Sequence, residues 1–179
     1  MSETSKYRHL TAPYCQGNGV DIGSGGDPVV PWAIQLDLPD KEYQKYHSGQ
    51  VIPRQIQWRG SCIELPFKDS VLDFVYSSHL IEDFTDWDQL LIEWLRVLKP
   101  EGHLVILAPD KDLWGGALQR GQPANRAHKH EAYPGEFTEC VQRIALVKVI
   151  EDRRTCCFPG DYTILFVAQK ICLGIGNKQ

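Results

Sequence analysis

One stretch near the middle of the chain leaves little freedom of fold. Trp87, Leu90, Leu91, Trp94, Leu95 and Leu98 recur at i, i+3, i+4, i+7, i+8 and i+11, which places a single apolar stripe along a helix over about 86–98. Thr85 or Asp86 can cap its free N–H groups, and Pro100 with Gly102 stops it. Val71–Tyr76 before it and His103–Pro109 after it are dense in apolar residues and read as buried strands. Strand, helix and strand in that order demand a right-handed parallel crossover on a sheet.

Further strands are expected at 19–22, 33–37 and 55–58, with a short polar helix over 40–47. Beyond residue 136 the pattern changes. A helix over 136–145 is followed by strands at 146–150 and 162–169, joined through Pro159-Gly160-Asp161, and such close strands form an antiparallel pair. Between Pro109 and Glu136 the sequence reads as a long irregular segment of the kind used for lids, with Trp114 and Gly115-Gly116 as a mobile flap. The expected fold is α/β: a three-layer, Rossmann-like sheet, mostly parallel, with an antiparallel C-terminal hairpin. At 179 residues, with no repeat or linker, residues 1–179 are expected to form one domain.

A formal charge of −4 argues against nucleic acid as a partner, since phosphate backbones are held by clustered cations. The basic residues gather only modestly, at Arg120, Arg126, His128, Lys129 and His130. No apolar run reaches the roughly 20 residues that cross a bilayer, and the first residues lack a secretory pattern, so the expected setting is cytoplasmic without membrane attachment. The six cysteines contain no C-x-x-C pair and are expected to be free thiols. His128-x-His130 raises a metal site but lacks a third ligand, so no metal is expected.

The chemistry concentrates where the first strand ends, in Asp21-Ile22-Gly23-Ser24-Gly25-Gly26. Glycines after a strand let a ligand approach the backbone, and an acid ending the next strand, Asp37, can accept both hydroxyls of a ribose. Alone, this pair fits a nicotinamide dinucleotide or S-adenosylmethionine. The dinucleotide pattern needs glycine where Pro28 stands, and a helix where Pro28 and Pro31 leave room for little more than a turn. Asp21, two residues before the first glycine, suits an amino group better than a pyrophosphate.

Four stretches in order, Val20–Gly25, Gln35–Leu38, Glu64–His79 and Leu95–Ile106, resemble the class I S-adenosylmethionine-dependent methyltransferases, including many small-molecule methylases. The resemblance implies S-adenosyl-L-methionine as cofactor. It also implies that Asp21 and the backbone at Gly23, within the turn Gly23-Ser24-Gly25, hold the methionine end. Asp37 would take the ribose, Leu38 would pack on the adenine, the backbone near Ser61-Cys62 would read its edge, and a carbonyl near Ser77 would take the amino group. The chain departs from the family at Ser61, where an acid is usual, and in its abbreviated first helix.

Catalytic residues are harder to read, because methyl transfer needs a base only when the nucleophile must lose a proton. His79, at the end of the fourth strand, can serve as a base, line the acceptor site or cap the next helix. His130 and Tyr133 lie in a stretch that resembles one facing substrate in such methylases, against an ordinary surface loop as the other reading. Glu82 and Asp83 read as the solvated face of a helix. The expected activity is methyl transfer to a small-molecule or glycan-type acceptor, the alternative being a partner or regulatory protein that binds the cofactor without turnover. The sequence leaves a homodimer open.

Overall fold

The computed structural model describes residues 2–46, 55–119, 121, 125 and 127–171. Arg120, Arg126, Cys172 and the expected helix end at His47 lie outside them. Seven strands form one sheet: β1 (Gly19–Ile22), β2 (Ile34–Asp37), β3 (Trp58–Arg59), β4 (Leu72–Ser78), β5 (Leu98–Pro109), β6 (Val147–Arg154) and β7 (Thr163–Lys170). Their spatial order is β3-β2-β1-β4-β5-β7-β6, parallel from β3 to β5, with β7 antiparallel to both β5 and β6. This is the expected mixed α/β sheet. The third strand is shorter and later than expected, and the strand after the central helix begins at Leu98 rather than His103.

The apolar stripe forms helix α3 (Trp87–Val97), capped by the Asp86 carboxylate accepting from the Gln89 N–H. With α5 (Glu136–Ile144) it covers one face of the sheet, meeting Val75, Leu104, Ile106 and Phe166 in the larger core cluster. The opposite face is covered differently. Pro28 and Pro31 keep residues 23–33 irregular, but Val29, Val30 and Ala33 still bury against Phe74 and Tyr76. A helix not anticipated from the sequence, α1 (Glu3–Thr11), completes that layer. Its Tyr7 hydroxyl donates to Asp161 at 2.6 Å, and its Arg8 guanidinium reaches the Val29 and Pro28 carbonyls and Asp27.

The segment expected to be irregular after the fifth strand instead opens with helix α4 (Lys111–Gln119), which contains Gly115 and Gly116. The cause is Asp110: fully buried, it accepts from the N–H groups of Asp112 and Leu113 and pairs with Arg154 at 2.7 Å. Trp114 is 7% exposed and its ring meets Tyr162 and His128, so the expected flap is a packed helix. Among the described residues no helix is long and apolar enough to cross a membrane, and Cys15, Cys62, Cys140, Cys156 and Cys157 are free thiols.

Candidate functional site

The strand order reverses direction around β1, whose neighbours β2 and β4 leave by connections on opposite sides. In open α/β sheets the carboxyl edge at such a point is a crevice. Here it is a cavity of about 370 Å³. Gly23, Gly25, Asp37 and Leu38 form one wall; His79, Leu80, Asp83 and Phe84 a second; Tyr46 from α2 (Asp40–Tyr46), Ala127 and Lys129 close it. A smaller pocket at the same edge shares Gly23, Asp37, Leu38, Leu80 and Phe84 and extends to Gly60 and Cys62.

Two glycines shape the first wall. Gly23 sits at φ +75°, its N–H donating to the Leu36 carbonyl, and a Cβ there would stand 3.2 Å from Leu80. Gly25 sits at φ +57° with nothing within 4 Å of where its Cβ would lie, so its backbone faces open space. Asp37 ties the turn together. One carboxylate oxygen accepts from the Gly25 N–H at 2.9 Å and the other from the Leu38 N–H at 2.8 Å. Each oxygen retains acceptor capacity for a ribose hydroxyl. Leu38 stands beside this cradle and Cys62 beyond it.

The remaining sequence-derived positions fall elsewhere. Asp21 is 1% exposed and does not line the cavity; one of its oxygens accepts from the Val29 N–H at 2.7 Å and the other has no partner. Burial pushes its carboxyl up to about 8. Ser24 is buried with its hydroxyl donating to Gln35, and Ser77 donates to the Ile22 carbonyl. Ser61 is exposed, its hydroxyl accepting from the Ile63 N–H. The Cys62 carbonyl is held by the Trp94 indole N–H at 2.9 Å, which anchors the far end of the site to α3.

His79 lines the second wall at φ +51°, its N–H donating to the Leu107 carbonyl. Its ring nitrogens point into protein: Nε2 lies 3.3 Å from the Thr163 hydroxyl and Nδ1 3.6 Å from Glu82. Burial lowers its pKa to about 4, so the ring is neutral at pH 7. Glu82, expected on a solvated face, is 1% exposed, and burial raises its pKa well above the ordinary value. The same carboxyl oxygen lies 3.6 Å from His128 Nε2, and the Glu82 carbonyl accepts from the Lys129 and His130 N–H groups. That pairing is what brings residues 127–130 over the cavity, and a run of apolar Leu80-Ile81 before two acids carries no sequence sign of it. Asp83 is likewise on the cavity wall rather than on a solvated face.

His130 and Tyr133 are not brought to this cavity. His130 pairs with Glu136 at 2.6 Å, its ring centroid 4.3 Å from that of Trp87, in a separate cleft between α3 and α5. Tyr133 is 46% exposed.

The family described as methyltransferase domain matches residues 20–106. A protein of Mycolicibacterium smegmatis named for S-adenosylmethionine-dependent methyl transfer is 31% identical over 125 residues, covering 69% of this chain and 48% of its own. A demethylmenaquinone methyltransferase of Lactobacillus johnsonii is 34% identical over 91 residues, covering 50% of this chain and 31% of its own. The chain thus spans half or less of the length of these two relatives. Among solved structures, the S-adenosylmethionine-dependent methyltransferase of Mesorhizobium loti superposes with a TM-score of 0.67 at 18% identity, covering 94% of this chain and 98% of the other. That of Archaeoglobus fulgidus gives 0.65 at 16%, covering 93% and 92%. These two likenesses establish the fold.

Proposed function

We propose, for a chain that belongs to the class I S-adenosylmethionine-dependent methyltransferases, transfer of the cofactor's methyl group to a small-molecule acceptor. The observation that carries this reading is the cavity between the glycine turn, Asp37 and the 79–84 wall. S-adenosyl-L-methionine is the cofactor of the family, and when bound it supplies a methyl carbon made electrophilic by the sulfonium. Gly25 leaves backbone open to it, Asp37 accepts the ribose hydroxyls, and Leu38 with Cys62 borders the adenine.

The chain's part in the reaction is orientation and exclusion of water. Phe84, Leu80 and Leu38 give the walls apolar surface, and the Glu82 carbonyl holds the backbone at Lys129 and His130, with Ala127 and Lys129 at the cavity. His79, with both ring nitrogens turned inward, holds the wall in place. The name of the Lactobacillus johnsonii relative, a demethylmenaquinone methyltransferase, favours an aromatic or quinol-like molecule over a glycan.

Isothermal titration with S-adenosylmethionine is expected to give saturable 1:1 binding, followed by labelled methyl transfer to members of a panel of quinols, phenols and amines. Absence of binding at millimolar cofactor overturns the proposal at its first step. Binding without transfer to any member of the panel overturns the small-molecule acceptor.

A further inference from the structure

Methylation of a hydroxyl oxygen requires the acceptor to lose a proton, and the residues lining the cavity differ in whether they can take it. Asp37 has both oxygens engaged by backbone N–H groups and serves the ribose in the reading above. Both His79 ring nitrogens face protein, and the ammonium group of Lys129 donates but does not accept. What remains on the walls is a pair, Tyr46 and Asp83. The Tyr46 hydroxyl donates to one Asp83 carboxyl oxygen at 2.7 Å, which ties the end of α2 to the 79–84 wall. Tyr46 is 45% exposed and is the more accessible member of the pair.

The surroundings of the pair suit a proton relay. Burial raises the Asp83 carboxyl above its ordinary value, toward the range in which a base is effective. The Tyr46 hydrogen bond from α2 and the charges of His128 and Lys129 beside the cavity oppose that rise. Burial and the carboxyls of Asp83 and Glu82 push the Tyr46 hydroxyl up, so it is protonated at neutral pH. Asn125 acts the other way: its side-chain oxygen accepts from the Ala127 N–H at 3.0 Å, and its side chain hydrogen-bonds Tyr46 in a manner that favours the phenolate. A phenol hydroxyl both donates and accepts, so while Tyr46 donates to Asp83 its oxygen can accept from a bound O–H.

Resting on the methyltransferase reading above, we propose that Tyr46 and Asp83 form a relay that deprotonates a hydroxyl acceptor, which makes the substrate class a phenol or quinol. The acceptor O–H proton passes to the Tyr46 oxygen as the Tyr46 proton passes to Asp83. The acceptor oxygen bonds the methyl carbon with the electron pair so freed, and the C–S electron pair departs on sulfur. The products are an aryl methyl ether and S-adenosylhomocysteine, with the proton on Asp83. Tyr46 touches the acceptor and is the catalytic residue; Asp83 acts through it.

The experiment sets an unactivated phenol against a nitrophenol, already ionised at neutral pH, in wild-type protein and Tyr46→Phe. Tyr46→Phe is expected to lower kcat about 100-fold on the phenol and less than about threefold on the nitrophenol. Its rate on the phenol should recover as pH rises toward that phenol's own pKa. A second readout needs no turnover. In protein loaded with S-adenosylhomocysteine, Tyr46→Phe should weaken binding of the phenol about fivefold and leave its methyl ether, which has no proton to donate, within about twofold. Equal losses on both acceptors, no loss on the phenol, or transfer by wild-type protein to amines alone overturns the relay. Should Tyr46→Phe fail to fold by circular dichroism, Asp83→Asn must show the same split between the two acceptors, and its absence overturns the proposal. Failure of wild-type protein to bind S-adenosylmethionine, or to methylate any member of the panel, would instead overturn the methyltransferase reading itself.

Discussion

The two faces of the sheet are covered by opposite means. On one, α3 and α5 present amphipathic stripes to Val75, Leu104, Ile106 and Phe166, and the contact is almost wholly apolar. On the other, the polar helix α1 and the irregular 23–33 segment do the same work with few large apolar side chains, led by Tyr7, and with hydrogen bonds to Asp161, Val29, Pro28 and Asp27. The first face gains its stability from area removed from water, the second partly from polar groups whose partners must all be present. The cavity opens at the edge of both, so its glycine turn rests on the less redundant layer.

The sharpest test of the apolar face is Trp94→Ala. Trp94 is fully buried, and its indole N–H holds the Cys62 carbonyl. The substitution is expected to cost about 3–5 kcal/mol in urea denaturation. It should also weaken cofactor binding, because the Cys62 end of the site loses its anchor. A loss below about 1 kcal/mol would show that this face is not the dominant store of stability.

On the polar face the matching change is Tyr7→Phe, which removes one hydroxyl and keeps the ring. Asp161 retains donors from Thr155, Cys157 and Thr163, so the expected cost is about 2 kcal/mol, the range for a hydrogen bond to a charged group. If Tyr7→Phe is neutral, α1 is held by its apolar contacts alone and the contrast between the faces disappears.

Asp21 lies behind the 23–33 segment and sharpens the same contrast through pH. Its folded pKa is raised to about 8 by burial, against an ordinary 3.8, so the native state holds a proton that the unfolded chain has released. Stability therefore falls as pH rises toward and through 8, by about 1.5 kcal/mol between pH 6.5 and 8 from this one group. Glu82, raised by burial as well, acts in the same direction. His79 has the opposite sign: its folded pKa near 4 means that stability falls as pH drops from about 6.5 toward 4. Chemical melts at pH 6.5 and 8 are expected to show the alkaline loss in wild-type protein and a smaller one in Asp21→Asn. An equal slope in both proteins would remove Asp21 as its source.

This division also explains what could be read in advance. The α3 stripe, its Asp86 cap and the parallel crossover follow from periodicity, which is a local property of the chain. The glycine turn and Asp37 are legible because the turn needs left-handed backbone and the acid ends a short strand. Helix α1 has no comparable stripe, and it forms against a face supplied by residues far along the chain. The same holds for the second wall of the cavity. Glu82 is buried with His79 and His128 beside it, and Asp83 lines the cavity. Tertiary pairing of that sort leaves no mark in spacing, which is why the sequence points to His130 and Tyr133, outside this cavity, and not to Asp83 and Lys129, which line it.

The smallest expected effect concerns Ser61, where relatives of this fold carry an acid by the resemblance read from the sequence. Its side chain is exposed, it lines neither part of the cavity, and its hydroxyl serves only the Ile63 N–H. Ser61→Ala should change both stability and S-adenosylmethionine affinity by less than about 0.5 kcal/mol, within about twofold by titration. The adenine edge would then be read by backbone around Gly60 and Cys62, the part of this loop that the Trp94 indole fixes. A tenfold loss would place the Ser61 hydroxyl on the adenine instead, and would make the exposed loop, rather than the anchored one, the side from which the site recognises its nucleoside.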